Sequence, residues 1–120
     1  MHRSMFQVYV KDSVKAVELY QLAFDAKIKG VHENEDGSYM HAELDIFGQV
    51  LALSESVDAT FGTNMQFCLH MGGGNEEKVK KAYEVLRDGA EINQPLGENF
   101  YSPLCFMLRD KFGVCWCMFV

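Results

Sequence analysis

The chain has 120 residues, enough for one domain with a sizeable core, and its 48% hydrophobic and 23% charged residues are ordinary for a soluble globular protein. A formal net charge of −6, with no clustering of Lys and Arg, argues against a nucleic-acid backbone or an anionic membrane surface as the main partner. No apolar run approaches a membrane span, and the first residues lead into strand-like alternation without an apolar signal segment, so a cytoplasmic location is expected.

In chain order, Met5 to Val10 alternates, with Phe6, Val8 and Val10 on one side and Met5, Gln7 and Tyr9 on the other, as a first strand does. Asp12 or Ser13 is a fitting N-cap for a helix running to about Phe24, because Val14, Val17, Tyr20 and Phe24 follow at helical spacing. Ala26 to Glu33 reads as a strand, Asn34 to Gly37 as a hairpin turn, and Ser38 to Ile46 as a third strand. After a Phe47-Gly48 turn, Gln49 to Glu55 makes a fourth. The half is β-α-β-β-β.

Residues 57–64 carry Asp58, Thr60, Gly62, Thr63 and Asn64 and suit a linker between a module at about 1–56 and a second at about 65–120. Met65 to Met71 alternates as the first strand did. Gly72 to Asn75 breaks the chain before a helix whose apolar stripe is Val79, Ala82, Tyr83 and Leu86, with Glu76 and Glu77 near its N-terminus, Arg87 near its C-terminus and Gly89 as its stop. Strand six is expected around Ala90 to Asn93, with Gln94 to Asn99 as a loop, and strands seven and eight flank Lys111 to Gly113. Ala16, Leu19, Tyr20 and Ala23 repeat the mutual spacing of Val79, Ala82, Tyr83 and Leu86. The phrase Asp45-Ile46-Phe47-Gly48 likewise returns as Asp110-Lys111-Phe112-Gly113. The reading is a single α+β domain of two tandem βαβββ modules.

Met40-His41-Ala42-Glu43-Leu44, Leu53-Ser54, Pro95-Leu96 with Phe100-Tyr101, and Asp110-Lys111-Phe112-Gly113-Val114-Cys115-Trp116 together resemble the vicinal oxygen chelate superfamily, which comprises the glyoxalase, bleomycin-resistance and extradiol-dioxygenase proteins. Within it, the chain is most similar to the PhnB-like branch. The methyltransferase name sometimes given to that branch finds no support, since no Gly-rich loop follows a first strand and the chain is short for an adenosylmethionine fold.

The resemblance implies that each module curls into a half-open cup with its helix outside. Alternation then sends Phe6, Val8, Leu51, Leu53, Phe67, Leu69, Val114, Trp116 and Met118 under the helices. Met5, Gln7, Tyr9, Ala52, Ser54, Gln66, Cys68, His70, Cys115 and Cys117 would face the cup. The expected ligand pocket is Gln7, Tyr9, Ser54, Gln66, Cys68, His70, Tyr101 and Cys117. Metal-dependent members draw one ligand from the first and last strand of each module, and the positions that match here are Met5, Ala52, Gln66 and Cys117. Ala52 has no donor and Met5 is a soft thioether, so no metal and no other cofactor is expected, although His70 or His41 with Gln66 and Cys117 leave a rearranged divalent-metal site open.

His41 and Glu43 share one face of the third strand, where they either serve as acid and base in a cleft or form a solvated face. Cys68, Cys105, Cys115 and Cys117 lie in apolar runs without zinc-knuckle or redox-pair spacing, and they read as small hydrophobes or as a redox-sensing cluster with no neighbouring cation. Phe100, Tyr101 and Trp116 line a ligand site or pack in the core. The resemblance leaves two functions: a metal-free small-molecule binder of the bleomycin-resistance kind, or a metal-dependent glyoxalase-type lyase, isomerase or dioxygenase. It also implies a homodimer, because pairing between chains covers open sheet edges.

Overall fold

The computed structural model describes residues 1–62 and 64–120. Thr63, assigned above to the linker, lies outside the described residues. The chain forms two compact units, Met1–Thr60 and Phe61–Val120. The first comprises β1 (Phe6–Val10), α1 (Ser13–Phe24), β2 (Lys27–Glu33), β3 (Tyr39–Ile46) and β4 (Gln49–Glu55). The second comprises β5 (Phe67–His70), α2 (Glu76–Leu86), β6 (Glu91–Gly97), β7 (Cys105–Arg109) and β8 (Cys115–Phe119). Each unit holds one four-stranded sheet, ordered β1-β4-β3-β2 and β5-β8-β7-β6, so the fold is α+β with the same topology twice. In each, the first strand runs parallel to the last and the other neighbours are antiparallel.

The core of the first unit is made by Ala16, Val17, Leu19, Tyr20, Ala23 and Phe24 of α1 with Ala42, Leu44, Leu51 and Leu53 of the two central strands, all buried. Val14, expected on the apolar stripe, is only half-buried, because the stripe is centred one position further on, along Ala16 and Tyr20. The start of α1 differs from expectation as well. Asp12 is the N-cap residue but sits in the left-handed region at φ 57° and makes no side-chain cap bond. Glu55, at the end of β4, supplies the cap instead: its carboxylate accepts from the Asp12 amide (3.1 Å), the Ser13 amide (2.9 Å) and the Ser13 hydroxyl (2.7 Å). A carboxylate is favoured at a helix N-terminus by the exposed amides and the helix dipole. The Ser13 hydroxyl in turn accepts the Tyr39 amide at 2.9 Å, tying helix, β3 and β4 together.

In the second unit Val79, Ala82, Tyr83 and Leu86 are buried as their spacing predicts, and Tyr83 packs on Phe106 with ring centroids 5.2 Å apart. Trp116 is fully buried against Phe67 at 5.3 Å. Its indole N–H donates to Asp110 Oδ2 at 2.9 Å, while Asp110 Oδ1 accepts the amides of Phe112 (2.9 Å) and Val114 (3.1 Å). A carboxylate that is 1% exposed is thereby met by three donors, and this accounts for the Asp-Lys-Phe-Gly-x-x-Trp spacing. Gly113 follows at φ 90°, and a Cβ there would fall 2.3 Å from the Phe61 ring, so both backbone and space require glycine.

The repeated phrase folds differently in the first unit. Ile46 pairs with Gln49, leaving a two-residue turn of Phe47 (φ 51°) and Gly48 (φ 90°), and Asp45 Oδ1 accepts the Gly48 amide at 2.7 Å. Arg109 pairs with Cys115, so the second turn is wider and wraps around its carboxylate.

Four further expectations need correction. Strand five is shorter than Met65 to Met71. Strand six reaches Gly97, through the stretch expected to be a loop: β6 is an edge strand, and irregularities between Ile92 and Gln94 and between Gln94 and Gly97 let Pro95 sit where no ladder amide is needed. Phe6, expected under the helix, is 45% exposed at the open end of edge strand β1. Ala52, Ser54 and Cys117, expected to face a cup, are buried on central strands that have a neighbour on each side.

Replacing Asp110 by Ala should cost about 3 kcal/mol, since the Trp116 indole and two turn amides lose a charged acceptor. Asp45→Ala, which frees one exposed amide, should cost about 1 kcal/mol or less. Urea unfolding of both variants checks this, and equal losses would contradict the assigned role of Asp110.

Candidate functional site

In the first unit, the sheet face turned away from α1 is built from alternate residues of β1, β4 and β3. Gln7 lies opposite Ala52 and Tyr9 opposite Ser54 in the parallel register. Gln7 Nε2 donates to Ser54 Oγ at 2.9 Å, and Tyr9 is exposed beside them. Across β4, Glu43 faces Ala52. The Arg3 guanidinium grips Glu43 through two bonds, 2.6 Å to Oε1 and 3.0 Å to Oε2, and His41 Nε2 lies 2.9 Å from Oε2. The hydrogen bond from Arg3, seconded by that from His41, holds the Glu43 carboxyl at about 2, well below its ordinary 4.5. An ionised Glu43 can only accept, so His41 Nε2 is the donor in this bond. Arg3 could not be matched to Glu43 by counting residues, since they are brought together by sheet pairing.

In the second unit, the register sets Cys68 opposite Cys117 and His70 opposite Phe119. His70 stacks on Phe119 at 4.5 Å, Tyr101 meets Phe119 edge-on at 5.2 Å, and Phe100, 98% exposed, meets Tyr101 at 5.0 Å. The Tyr101 hydroxyl lies 3.7 Å from Cys117 Sγ, and Gln66 Nε2 donates to Cys68 Sγ at 3.6 Å. Burial pushes the Cys117 thiol up to about 11, against the pull of the Tyr101 hydroxyl bond. Trp116 belongs to the core. Phe119 was absent from the expected pocket, although its alternation with Cys115 and Cys117 places it on their face.

One hollow continues the second unit's face through Gln66 and Cys115, and another lies at the start of α1. A cavity of about 210 Å³ is lined by Gln66, Glu91, Asn93, Arg109 and Cys115, with Arg109 paired to Glu91 and stacked over the Phe61 ring at 5.4 Å. A cleft of about 400 Å³ at the start of α1 is lined partly by Asp36 and Glu55. Its carboxylates serve the fold: Glu55 caps the helix and Asp36 accepts the Ser38 amide and hydroxyl in the β2–β3 turn.

The residues matching the metal-ligand positions do not fit a hard divalent ion. Ala52 offers no donor, Met5 offers a thioether, and Cys117 is a buried thiol held in its protonated form. The residue facing Ala52 is Gln7 and the residue facing Cys117 is Cys68, so Met5 and Gln66 each lie two positions off the register of their expected partners. Among the described residues, no three His, Cys, Asp or Glu side chains converge as a metal centre requires. His41 and His70 sit in different units and belong to the separate groups described above.

The topology and the paired motifs define the class. Residues 3–118 match the Glyoxalase/Bleomycin resistance protein/Dioxygenase superfamily, and the chain belongs to it. Among solved structures, it is similar to a putative 3-demethylubiquinone-9 3-methyltransferase, the PhnB protein from Bacillus cereus, with a TM-score of 0.84, 22% identity and 98% of each chain covered. It is also similar to TioX from Micromonospora sp. ML1, with a TM-score of 0.65 and 21% identity over 97% of each chain. A third is the fosfomycin resistance protein FosX from Listeria monocytogenes, complexed with Mn(II) and sulfate ion, with a TM-score of 0.70 and 18% identity over 97% of this chain and 88% of that one. These likenesses show the shared fold. No curated protein matches the sequence. None of the described helices is long and apolar enough to cross a membrane.

Because the Glu43 carboxyl is depressed, its contribution to stability is present above about 4.5 and is lost as pH falls toward about 2. A carboxyl-carbon NMR titration should give a Glu43 midpoint near 2, moving up toward 4.5 in Arg3→Ala. An unmoved midpoint would remove Arg3 from the group.

Proposed function

We propose that this protein binds a small organic molecule on the sheet faces turned away from its helices, without a catalytic metal. The observation that carries this reading is the donor set. Where the metal-dependent relatives need ligands, this chain places a methyl group at Ala52 and a protonated, buried thiol at Cys117. Each face by itself offers what an organic ligand uses: flat rings at His70, Phe119 and Tyr101 with polar handles at Gln66 and Cys68 in the second unit, and polar handles at Gln7 and Ser54 in the first. The rings favour a planar or apolar body. The handles favour a ligand with a few hydrogen-bonding groups. We extend the proposal to a homodimer with C2 symmetry, since β1, β2, β5 and β6 are the edge strands of their sheets.

Stoichiometric Zn²⁺, Mn²⁺ or Ni²⁺ should leave the melting temperature unchanged, since any ion bound tightly to the native state must raise it by mass action. A rise of several degrees, abolished in Gln66→Ala or His70→Ala but not in His2→Ala, would overturn the metal-free reading and favour the enzyme. The placement of the face is tested separately. Cys68→Trp fills exposed space and should melt like the parent, whereas Phe67→Trp overpacks the layer beside Trp116 and should cost about 1–3 kcal/mol. The reverse order would show that the ligand face has been assigned to the wrong side of β5. Light scattering at micromolar concentration should report twice the chain mass, and a monomer would count against the dimer.

A further inference from the structure

We propose that Cys68 and Cys117 are a reversible redox pair that closes to a disulfide between β5 and β8. The two residues are direct partners in the parallel register, with both thiols free. Neighbouring strands lie about 4.8 Å apart, inside the Cα separation of roughly 4.4–6.8 Å that a disulfide spans. Opposite residues also project to the same sheet face.

The two thiols are unlike. Cys68 is exposed and open to an oxidant; Cys117, its neighbour on β8, is buried, with the Tyr101 hydroxyl 3.7 Å from its sulfur. The other two cysteines are engaged elsewhere. Cys105 lies on β7 opposite Phe119, and its sulfur accepts from Gln94 Nε2 at 2.7 Å. The Cys115 thiol donates to the Gly62 carbonyl at 3.5 Å. In the first unit, the corresponding pair is Gln7 and Ala52, so the repeat itself does not demand thiols at this position.

With a peroxide as oxidant the chemistry balances. The Cys68 thiolate attacks one peroxide oxygen, an S–O bond forms as the O–O bond breaks, and the sulfenic acid and hydroxide result; the hydroxide takes the proton lost from the thiol. Cys117 sulfur then attacks Cys68 sulfur, forming S–S and breaking S–O, and the departing hydroxide leaves as water with the Cys117 proton. Two thiols lose two electrons in all, and one hydrogen peroxide becomes two waters. Because the Cys117 thiol titrates at about 11, ring closure should quicken about tenfold per pH unit below that value. Closure would withdraw the Cys68 thiol from the face and alter the contact made by Tyr101.

The test is independent of any ligand. The full chain is treated with a small excess of hydrogen peroxide, remaining thiols are alkylated after unfolding, and a non-reducing digest is read by mass spectrometry. The expected product is one intramolecular Cys68–Cys117 cross-link, reversed by dithiothreitol, with Cys105 and Cys115 alkylated. Cys105→Ser and Cys115→Ser should keep it. Cys68→Ser, a change at an exposed position, should leave every other thiol alkylated. Cys117→Ser should trap Cys68 as a sulfenic acid that dimedone labels. A cross-link to Cys105 or Cys115, one between two chains, or full alkylation of Cys68 and Cys117 after peroxide would overturn the proposal.

Discussion

The buried carboxylate of Asp110 fixes the end of β7 and the start of β8. A charge without solvent is tolerable only when donors replace the lost water, and here the Trp116 indole and the Phe112 and Val114 amides do so. Those bonds decide the width of the turn. The turn width decides the β7–β8 register, and that register, carried through β8 to its parallel partner β5, sets Cys68 opposite Cys117 and His70 opposite Phe119. The face proposed to hold a ligand therefore depends on a bond network on the other side of the sheet.

The first unit reaches the same topology by a different local solution. Its Asp45 lies nearer the surface, serves a turn amide and has no tryptophan to anchor. The burden of joining helix to sheet falls instead on Glu55 and Ser13, whose bonds link the start of α1 to the ends of β3 and β4. Two sequences with one hydrophobic pattern thus share a fold while distributing their polar anchors differently. Pattern and volume specify topology, whereas the particular buried polar groups specify local geometry.

The chemistry of the two faces diverges in the same way. The first carries a charged cluster in which Arg3 and His41 converge on a Glu43 whose carboxyl is held at about 2. The second carries stacked rings and thiols. In a superfamily where the corresponding strands commonly present metal ligands, this chain has a methyl group, a thioether and a protonated thiol. A methyl group, a thioether and a protonated thiol are poor ligands for a hard Lewis acid.

By itself the sequence determined the two modules, both helices, most strands and the superfamily, because alternation, helical spacing and the Asp-Lys-Phe-Gly-x-x-Trp phrase are local signals carried on consecutive residues. It also placed Gln7, Cys68 and His70 on the faces they occupy, since side chains in a strand alternate with period two. Only the tertiary structure decided which long-range partners meet. Glu55 displaced the local Asp12 cap, β6 ran on through Pro95 because its edge needs no amide there, and Arg3 reached Glu43 across the sheet. Burial was beyond the pattern too: Ala52, Ser54 and Cys117 alternate onto a face that looks open, yet they are buried on central strands. Period two fixes the side of the sheet to which a residue points; how much water reaches it depends on residues far away in the chain.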